Sequence, residues 1–343
     1  MPETKKLITF CVPSYNSEEY LHYALDSLIG HEEAEVLIID DGSKDGTLAI
    51  AQEYQKRYPE IFKAIHQENK GHGGAINTAV SLATGEYFKV LDSDDWVDKD
   101  AYDKLIDFLK NQKNDRKSDL ILMDYVYQQG RDNPTTRIGF RFYFPVNEVV
   151  ELSQMRNHMR LQDNVTLHSA IYRLAVIKES GVTLPEHCSY EDNYFVYAPM
   201  GLIKTVAYIP EPLYQYLIGR EGQSMTRETC IRKYHDFVRC GELIFRCFDV
   251  MKFEETDKKR YRLMRHHLIL SMLFLVIYPQ LNGGPKAIEE MNEAMKRCEE
   301  NNPKQYAMVV RSLRVSTFFR KGKPAKKRAK FWYSVAHLFV KFN

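Results

Sequence analysis

Short apolar runs alternate with stretches of helical periodicity along the first 125 residues of the chain. The apolar runs have the length of buried strands, and they lie at residues 7–12, 35–39, 62–65, 87–91 and 120–123. Apolar positions recur at helical spacing between them, from a cap at Asn16 or Ser17 and over residues 47–58, 71–83 and 100–110. This alternation with short connections predicts an α/β fold, with a mixed, mostly parallel sheet and helices on both faces.

Polar or glycine-rich clusters follow three of the first four predicted strands. They have the sequences DDGS at residues 40–43, GHGG at 71–74 and DSDD at 92–95. In open parallel sheets, ligands bind beyond the carboxyl ends of the strands. We therefore expect these three clusters to lie at one edge of the sheet and to form the functional site.

The DSDD cluster holds three carboxylates within four residues. These carboxylates repel one another unless solvent, cationic partners or a metal ion compensates their charge. A hard divalent cation does this well, and it keeps open positions for phosphate oxygens. An isolated DSDD sequence is more often a solvated turn, but its position at the end of a buried strand favours a metal site.

The other two clusters carry weaker signals. Asp41 can accept a hydrogen bond from a ribose hydroxyl or a base N–H, as acidic residues do in nucleotide-binding sheets; a turn with a helix cap is the alternative. Gly73 lies at a helix start, where glycine permits close approach of an anion to the positive end of the helix. The cluster is neither GxGxxG nor a P-loop, so a dinucleotide or ATP site is disfavoured.

Composition excludes wholesale disorder, since 44% of the 343 residues are hydrophobic and 27% are charged. The N-terminus has no long apolar core, which argues against a signal peptide. The longest nearly uncharged apolar run, residues 268–278, is too short to span a bilayer as a helix. Six cysteines without framework spacing predict free thiols in a reducing cytosol.

The net charge of +2 conceals a polarised chain. Residues 301–343 hold 11 Lys and Arg and no Asp or Glu, so the first 300 residues carry 37 basic against 46 acidic groups. Residues 319–330 are cationic, and 331–342 place aromatic and aliphatic residues on one helical face. This pattern predicts a tail that binds an anionic membrane surface. A terminal helix docked on the acidic body is the alternative, and nucleic-acid binding is disfavoured.

The motifs together resemble the family 2 glycosyltransferases, which have the Rossmann-like GT-A fold. The resemblance extends over about residues 5–226. Its elements occur in the family's order: VPSYN at 12–16, IDDGSKDGT at 39–47, GHGGAIN at 71–77, LDSDDW at 91–96, YEDNYF at 190–195 and YQYLIGR at 214–220, followed by Gln223 and Ser224.

This resemblance implies a role for each matching residue. Pro13 and Tyr15 would line a nucleobase pocket, and Asp41 would bind the polar edge of the base. Asp92 and Asp94 would form the DxD motif, with Asp94 the direct ligand of Mn²⁺ or Mg²⁺. Three further residues would contact the donor diphosphate: Gly73, Arg220 and Ser224. Asp192 would be the general base, and its neighbour Glu191 is the second implied catalytic residue.

The implied reaction is transfer of one sugar from a nucleotide-sugar donor, taken as UDP-linked, to a glycan or lipid-linked acceptor of surface polysaccharide. One base and a metal-stabilised leaving group on opposite faces would invert the anomeric centre. Ile76 stands where many relatives have Arg, and the Gln-x-x-Arg-Trp motif of processive synthases is absent. We expect a cytoplasmic enzyme, peripheral at the inner membrane face.

The resemblance, together with the helical pattern and the basic tail that follow it, predicts the domain organisation: a catalytic domain at residues 1–226, a helical region at 227–318 and the basic tail at 319–343.

Other interpretations of single residues and of the whole chain remain open from the residues themselves. Glu191 and Asp192 as a pair are commonly solvated surface acids, and Arg220 can be a surface arginine. We expect His72 and His168 to be structural, since no metal-binding histidine spacing includes them. A nucleotidyltransferase or a catalytically silent adaptor would be the competing functions.

Overall fold

The computed structural model describes residues 5–113, 116–131, 133–160, 163–219 and 226–312. Predictions for Arg220, Ser224 and the tail 319–343 fall outside these residues. In chain order, the described strands are β1 Ile8–Ser14, β2 Ala34–Asp40, β3 Phe62–His66, β4 Tyr87–Val90, β5 Trp96–Val97, β6 Leu120–Gln128, β7 Pro134–Ile138, β8 Val149–Glu151, β9 Ala170–Arg173 and β10 Thr205–Leu217.

These strands form one sheet in the order β3-β2-β1-β4-β9-β6-β10-β5, with β7 paired to β6 and β8 to β10. Strands β1–β4 pair in parallel. Strand β9 is antiparallel to both of its neighbours, β4 and β6, so β6 again runs in the direction of β4. Because β10 is parallel to β6, most of the long strands share one direction, which confirms the predicted mixed, mostly parallel sheet.

Helices alternate with the first strands and follow the last one. The described helices are α1 Leu21–Ser27, α2 Thr47–Arg57, α3 Gly71–Leu82, α4 Lys99–Asn111, α5 Leu174–Ser180, α6 Asp192–Met200, α7 Arg227–Arg232, α8 Tyr234–Cys247, α9 Lys258–Asn282, α10 Pro285–Asn301 and α11 Pro303–Ser312. Two 3-10 turns lie at Leu152–Gln154 and Val250–Phe253.

Helices α1–α4 cover both faces of the sheet, as predicted. Every residue of β1 and β2 is buried, as expected for parallel strands inside two helical layers. One core joins alternate residues of β1, such as Phe10, to α1, α2 and α4. Helix α3 packs on the same two strands through residues outside that core, including Ile76.

The loop before α1 differs from its prediction. Helix α1 begins at Leu21 without a side-chain cap. Neither predicted cap residue is available for it: the Asn16 side chain accepts from the Lys44 amide at 2.8 Å, and the Ser17 hydroxyl lies 2.7 Å from that of Ser93. These side chains therefore join the β1–α1 loop to the polar clusters instead of capping the helix.

Chain contacts divide the described residues into two compact units. The first holds the whole sheet and is formed by residues up to 156, 166–188 and 202–219. The second is formed by residues 157–165 and 189–201 with helices α7–α11. The domain boundaries at 226 and 318 stay predictions. No helix in the described ranges combines the length and the apolar character needed to cross a membrane.

Candidate active site

The DSDD cluster forms a turn directly after β4, in which the Asp95 amide donates to the Asp92 carbonyl at 3.0 Å. Asp95 is fully buried. Its Oδ2 accepts from the Tyr214 hydroxyl at 2.6 Å, and its Oδ1 accepts from the Leu217 amide at 2.8 Å. Both oxygens of Asp95 therefore tie the acidic turn to β10.

Asp92 has a different environment from Asp95. His72 lies 3.0 Å from its Oδ1 and the Tyr214 hydroxyl 3.1 Å from its Oδ2. Burial alone raises the pKa of Asp92, but the hydrogen bond and charge of His72, assisted by His168, lower it to about 2. Burial and the charges of Asp94 and Asp92 raise the pKa of Asp95 instead. Asp92 is thus ionised at neutral pH.

A buried lysine lies beneath this acidic turn. Lys89, on β4, is 1% exposed, and its ammonium donates to the carbonyls of Leu167 at 2.6 Å and His168 at 2.7 Å. It also lies 4.9 Å from the centre of the Tyr214 ring. Burial lowers the pKa of Lys89 to about 7, although Asp92 and Asp95 oppose this shift. The lysine fixes the chain segment that carries His168.

His168 completes the cluster around the two acids. Its ring stacks on Tyr216 with 4.4 Å between ring centres, and burial lowers its pKa to about 4. One ligand atom each from Asp92, Asp95 and His168 lies within 4.8 Å of the others. Carboxylate oxygens and a neutral imidazole are donors that suit Mn²⁺, and oxygen donors suit Mg²⁺.

The acidic turn therefore fits the predicted cation. Asp94 is half-buried in the same turn, between Asp92 and the fully buried Asp95. Sequence spacing identified the three acids; His168 was expected to be structural, and no site role was predicted for Lys89 or Tyr214. Lys89 was detectable as the charged residue inside an apolar run, whereas the other two come from distant segments.

A cavity of about 400 Å³ opens near the ends of β2 and β3. It is lined by Tyr15, Gly42, Ser43, Lys44, His66, Gln67, Glu68 and Asn69. Tyr15 presents a large exposed ring there, with 52% of its surface accessible. Pro13, the other residue predicted for a base pocket, is buried in β1 opposite Ile39.

Asp41 supports the wall of this cavity. Its Oδ1 accepts from the Gln67 side chain at 2.6 Å and from the Lys70 amide at 2.9 Å, and its Oδ2 accepts from the Gly71 amide at 2.7 Å. The carboxylate is 3% exposed. Asp41 thus holds the segment between β3 and α3.

The glycine cluster forms the first turn of α3. Gly71 has φ +77°, and a Cβ there would lie 3.0 Å from the His187 amide, so glycine is required. Gly73 is buried in the same turn. The turn brings His72 to Asp92, so the second and third polar clusters meet through this contact.

Glu191 and Asp192 lie in the second unit, at the start of α6. Glu191 is 2% exposed, which excludes the alternative of two solvated surface acids. Asp192 is half-buried, and its Oδ1 accepts from the Asn193 amide group at 3.1 Å.

The sheet and the helices in its chain have the GT-A fold, which is found in solved glycosyltransferases. Residues 1–349 of S. aureus TarS, solved in complex with UDP-GlcNAc, match with a TM-score of 0.57 and 21% identity over 92% of this chain and 93% of that one. A mannosyltransferase from Pyrobaculum calidifontis, in complex with GDP-Man and Mn²⁺, matches with a TM-score of 0.51 and 14% identity over 97% and 84% of the two chains.

Sequence comparison identifies the family. Residues 9–175, about half of the chain, match the model of Glycosyl transferase family 2, and this region belongs to that family of glycosyltransferases. A poly(ribitol-phosphate) beta-glucosyltransferase of Bacillus spizizenii is 28% identical over 225 residues, which are 64% of this chain. The match spans only 33% of that relative's length.

Proposed function

We propose that this enzyme transfers a single sugar, with inversion, from a UDP-linked donor to a glycan or lipid-linked acceptor during assembly of a cell-surface polysaccharide. The donor class is supported by the fold shared with a UDP-GlcNAc complex and by the cavity beside Tyr15. The acceptor class is supported by the poly(ribitol-phosphate) relative.

The observation that carries the proposal is the acidic turn held by β10. Tyr214 and Leu217 hold Asp95 in place through hydrogen bonds. In the same turn, Asp92 has a lowered pKa and is ionised, and Asp94 is half-buried. We assign Asp94 and Asp92 to a Mn²⁺ or Mg²⁺ ion. When bound, such a cation neutralises the negative charge of the departing nucleoside diphosphate.

Other residues of the chain are assigned to the nucleobase and to the phosphates of the donor. Tyr15 offers its exposed ring to the nucleobase, and Asp41 shapes the cavity wall that the base would meet. Gly73 places backbone at the positive end of α3, where a phosphate is favoured. Arg220 and Ser224 are assigned to the diphosphate from the sequence alone, because a guanidinium matches phosphate geometry.

Asp192 is the proposed general base, with Glu191 beside it. A carboxylate at this point would take the proton of the acceptor hydroxyl while that oxygen attacks the anomeric carbon. The nucleoside diphosphate leaves from the opposite face of the sugar, so the configuration inverts.

The dependence of UDP affinity on Mn²⁺ tests whether the acidic turn binds the metal ion. In Asp94→Asn, we expect the Mn²⁺-dependent gain in UDP affinity, measured by isothermal titration calorimetry, to fall by about 10- to 100-fold. Asp100→Asn is the matched control, since Asp100 is an exposed acid on α4. An unchanged Mn²⁺ dependence in Asp94→Asn would refute the assignment.

Base catalysis is tested separately. Asp192→Asn should keep the affinity for UDP and lose about 10²- to 10⁴-fold in the rate of transfer, as expected for removal of a general base. A variant that transfers sugar at the wild-type rate excludes Asp192 as the base. A wild-type protein that binds donor and transfers nothing would favour the silent adaptor.

The tail at residues 319–343 is proposed to hold the enzyme at the inner face of the membrane. Its basic and aromatic sequence supports this, with about 1 kcal/mol for each basic residue near an anionic surface. Removal of residues 321–343 should abolish sedimentation with phosphatidylserine vesicles at low salt. Loss of folding in that variant would favour the docked helix instead.

A further inference from the structure

Tyr190 lies two residues before the proposed base and has a strained backbone. Its φ is +67°, in the left-handed region that a bulky aromatic residue rarely adopts. Such strain persists only where the surrounding structure enforces it, and it is concentrated at functional sites. The contacts of Tyr190 identify what enforces it here.

The ring of Tyr190 is the first member of a stack of three aromatic rings. It lies face to face with Phe237 of α8, with 3.8 Å between ring centres and an angle of 16°. Phe237 in turn stacks on Tyr278 of α9 at 4.2 Å and 26°. All three residues are at least nine-tenths buried. Helices α8 and α9 thus clamp the residue that precedes the Glu-Asp pair.

Hydrogen bonds hold the same segment from both sides. The Tyr190 hydroxyl contacts the Cys230 sulfur of α7 at 3.5 Å. The neighbouring Ser189 amide donates to Asp236 at 3.2 Å, and the Ser189 hydroxyl accepts from Lys233 at 2.8 Å. Helices α7 and α8, with the residue between them, therefore fix the chain immediately before α6.

One side chain connects this anchored segment to the proposed base. The amide group of Asn193 donates to the Asp192 carboxylate at 3.1 Å and approaches the Tyr190 carbonyl at 3.5 Å. The direction of that carbonyl follows the backbone angles of Tyr190. The ring stack, the left-handed backbone and the carboxylate are thus joined in one chain of contacts.

We infer that Tyr190 is a positioning residue, through which helices α8 and α9 set the orientation of the Asp192 carboxylate toward the acceptor hydroxyl. This inference rests on the proposed role of Asp192 as the base. It gives the C-terminal helices a catalytic purpose: they supply the rigid support for a carboxylate whose own helix, α6, has only nine residues.

The test compares variants that keep or remove the stack in the full-length enzyme. Tyr190→Leu should lower kcat for transfer by about 100-fold, the usual cost of a misplaced catalytic group, while the KM for donor is unchanged. Tyr190→Phe keeps the stacked ring and should restore near-wild-type kcat. Phe274→Leu is the control, because Phe274 packs against the same apolar cluster from a partly buried position and meets Phe237 and Tyr278 at a tilt, outside the face-to-face stack.

A double-mutant cycle separates positioning from a general loss of stability. In the Asp192→Asn background, Tyr190→Leu should cause no additional loss of kcat, since it acts through a group already removed. If Tyr190→Leu does not fold, Phe237→Leu removes the stack from the other side and should show the same pattern.

Three results would overturn the inference. These are additive losses in the cycle, an equal loss of kcat in Phe274→Leu, or wild-type kcat in Tyr190→Leu when Asp192→Asn is inactive. A fully active Asp192→Asn would instead remove the proposed base, so the two failures are distinguishable.

Discussion

Replacing Tyr214 by phenylalanine removes a single hydroxyl group from beneath the acidic turn and leaves the buried ring in place. That hydroxyl donates to Asp95 at 2.6 Å and accepts from the Asp92 amide at 3.2 Å. It also lies 3.1 Å from the Asp92 carboxylate. The variant therefore detaches the acidic turn from β10 at one point, while Leu217 continues to donate to Asp95.

The expected loss of stability follows from these contacts. A hydrogen bond to a charged group contributes about 1.5–3 kcal/mol and a neutral one about 1 kcal/mol. Loss of both would lower the free energy of unfolding by about 2.5–4 kcal/mol. At a denaturant dependence of about 2 kcal/mol per molar, the midpoint of urea unfolding falls by about 1–2 M.

Tyr214→Phe should also weaken metal-dependent UDP binding, in addition to lowering stability. Residues that orient metal ligands usually change metal affinity or activity by about 10- to 100-fold when they are replaced. We expect a loss of this size in the Mn²⁺-dependent affinity for UDP, measured by calorimetry well below the urea midpoint, where both proteins are folded.

Tyr208→Phe provides a matched control on the same strand. Its hydroxyl donates to the buried Asp124 at 2.7 Å, and Asp124 keeps its ion pair with Arg137. Tyr208→Phe should therefore lose about 1.5–3 kcal/mol of stability and none of its Mn²⁺-dependent affinity. Equal effects on UDP binding in the two variants would refute the reasoning, as would a Tyr214→Phe protein with unchanged Mn²⁺ dependence.

Two further predictions concern the first unit. Tyr15→Ala should weaken UDP binding by about 5- to 150-fold if the exposed ring stacks on the base; an unchanged dissociation constant would mean that the cavity is not the base pocket. Burial raises the pKa of Glu35, but hydrogen bonds from Lys63 and two threonines outweigh it, so the folded pKa lies below its ordinary value of 4.5. The ionised Glu35 thus stabilises the fold above about pH 4.5 and less as the pH falls through the folded pKa. Urea unfolding of Glu35→Gln should show a weaker pH dependence there, and an unaltered dependence would contradict this.

The sequence predicted the fold best in the N-terminal part of the chain, where strands and helices alternate with short connections. Strands β1–β4 and helices α1–α4 were predicted to within a few residues, because each is a strongly patterned segment with local turn signals. Strand β9 was not predicted. Its four residues enter the sheet between β4 and β6, and the antiparallel pairing with β4 joins residues more than 80 positions apart in the chain.

The residues of the candidate site were likewise predicted only where their sequence signal is local. Asp92, Asp94 and Asp41 were found because each lies in a compact polar cluster at a strand end. Lys89 and His168 were not predicted as site residues, since a lysine that donates to carbonyls 78 and 79 residues away has no local signature. The role of burial is also invisible in the sequence: Glu191 and Asp192 are adjacent acids, yet only the fold makes Glu191 inaccessible.

Environment, more than residue type, assigns the roles of the neighbouring acids. Asp95 accepts from Tyr214 with one oxygen and from Leu217 with the other, so its carboxylate holds the acidic turn to β10 while it also lies within reach of a cation beside Asp92 and His168. Asp92, three residues earlier, has a lowered pKa and remains charged. Asp41 is also engaged structurally, because its carboxylate holds the segment that lines the cavity. Loss of the Asp41 carboxylate should therefore act on nucleotide binding through the shape of the cavity, beyond any direct contact with the base.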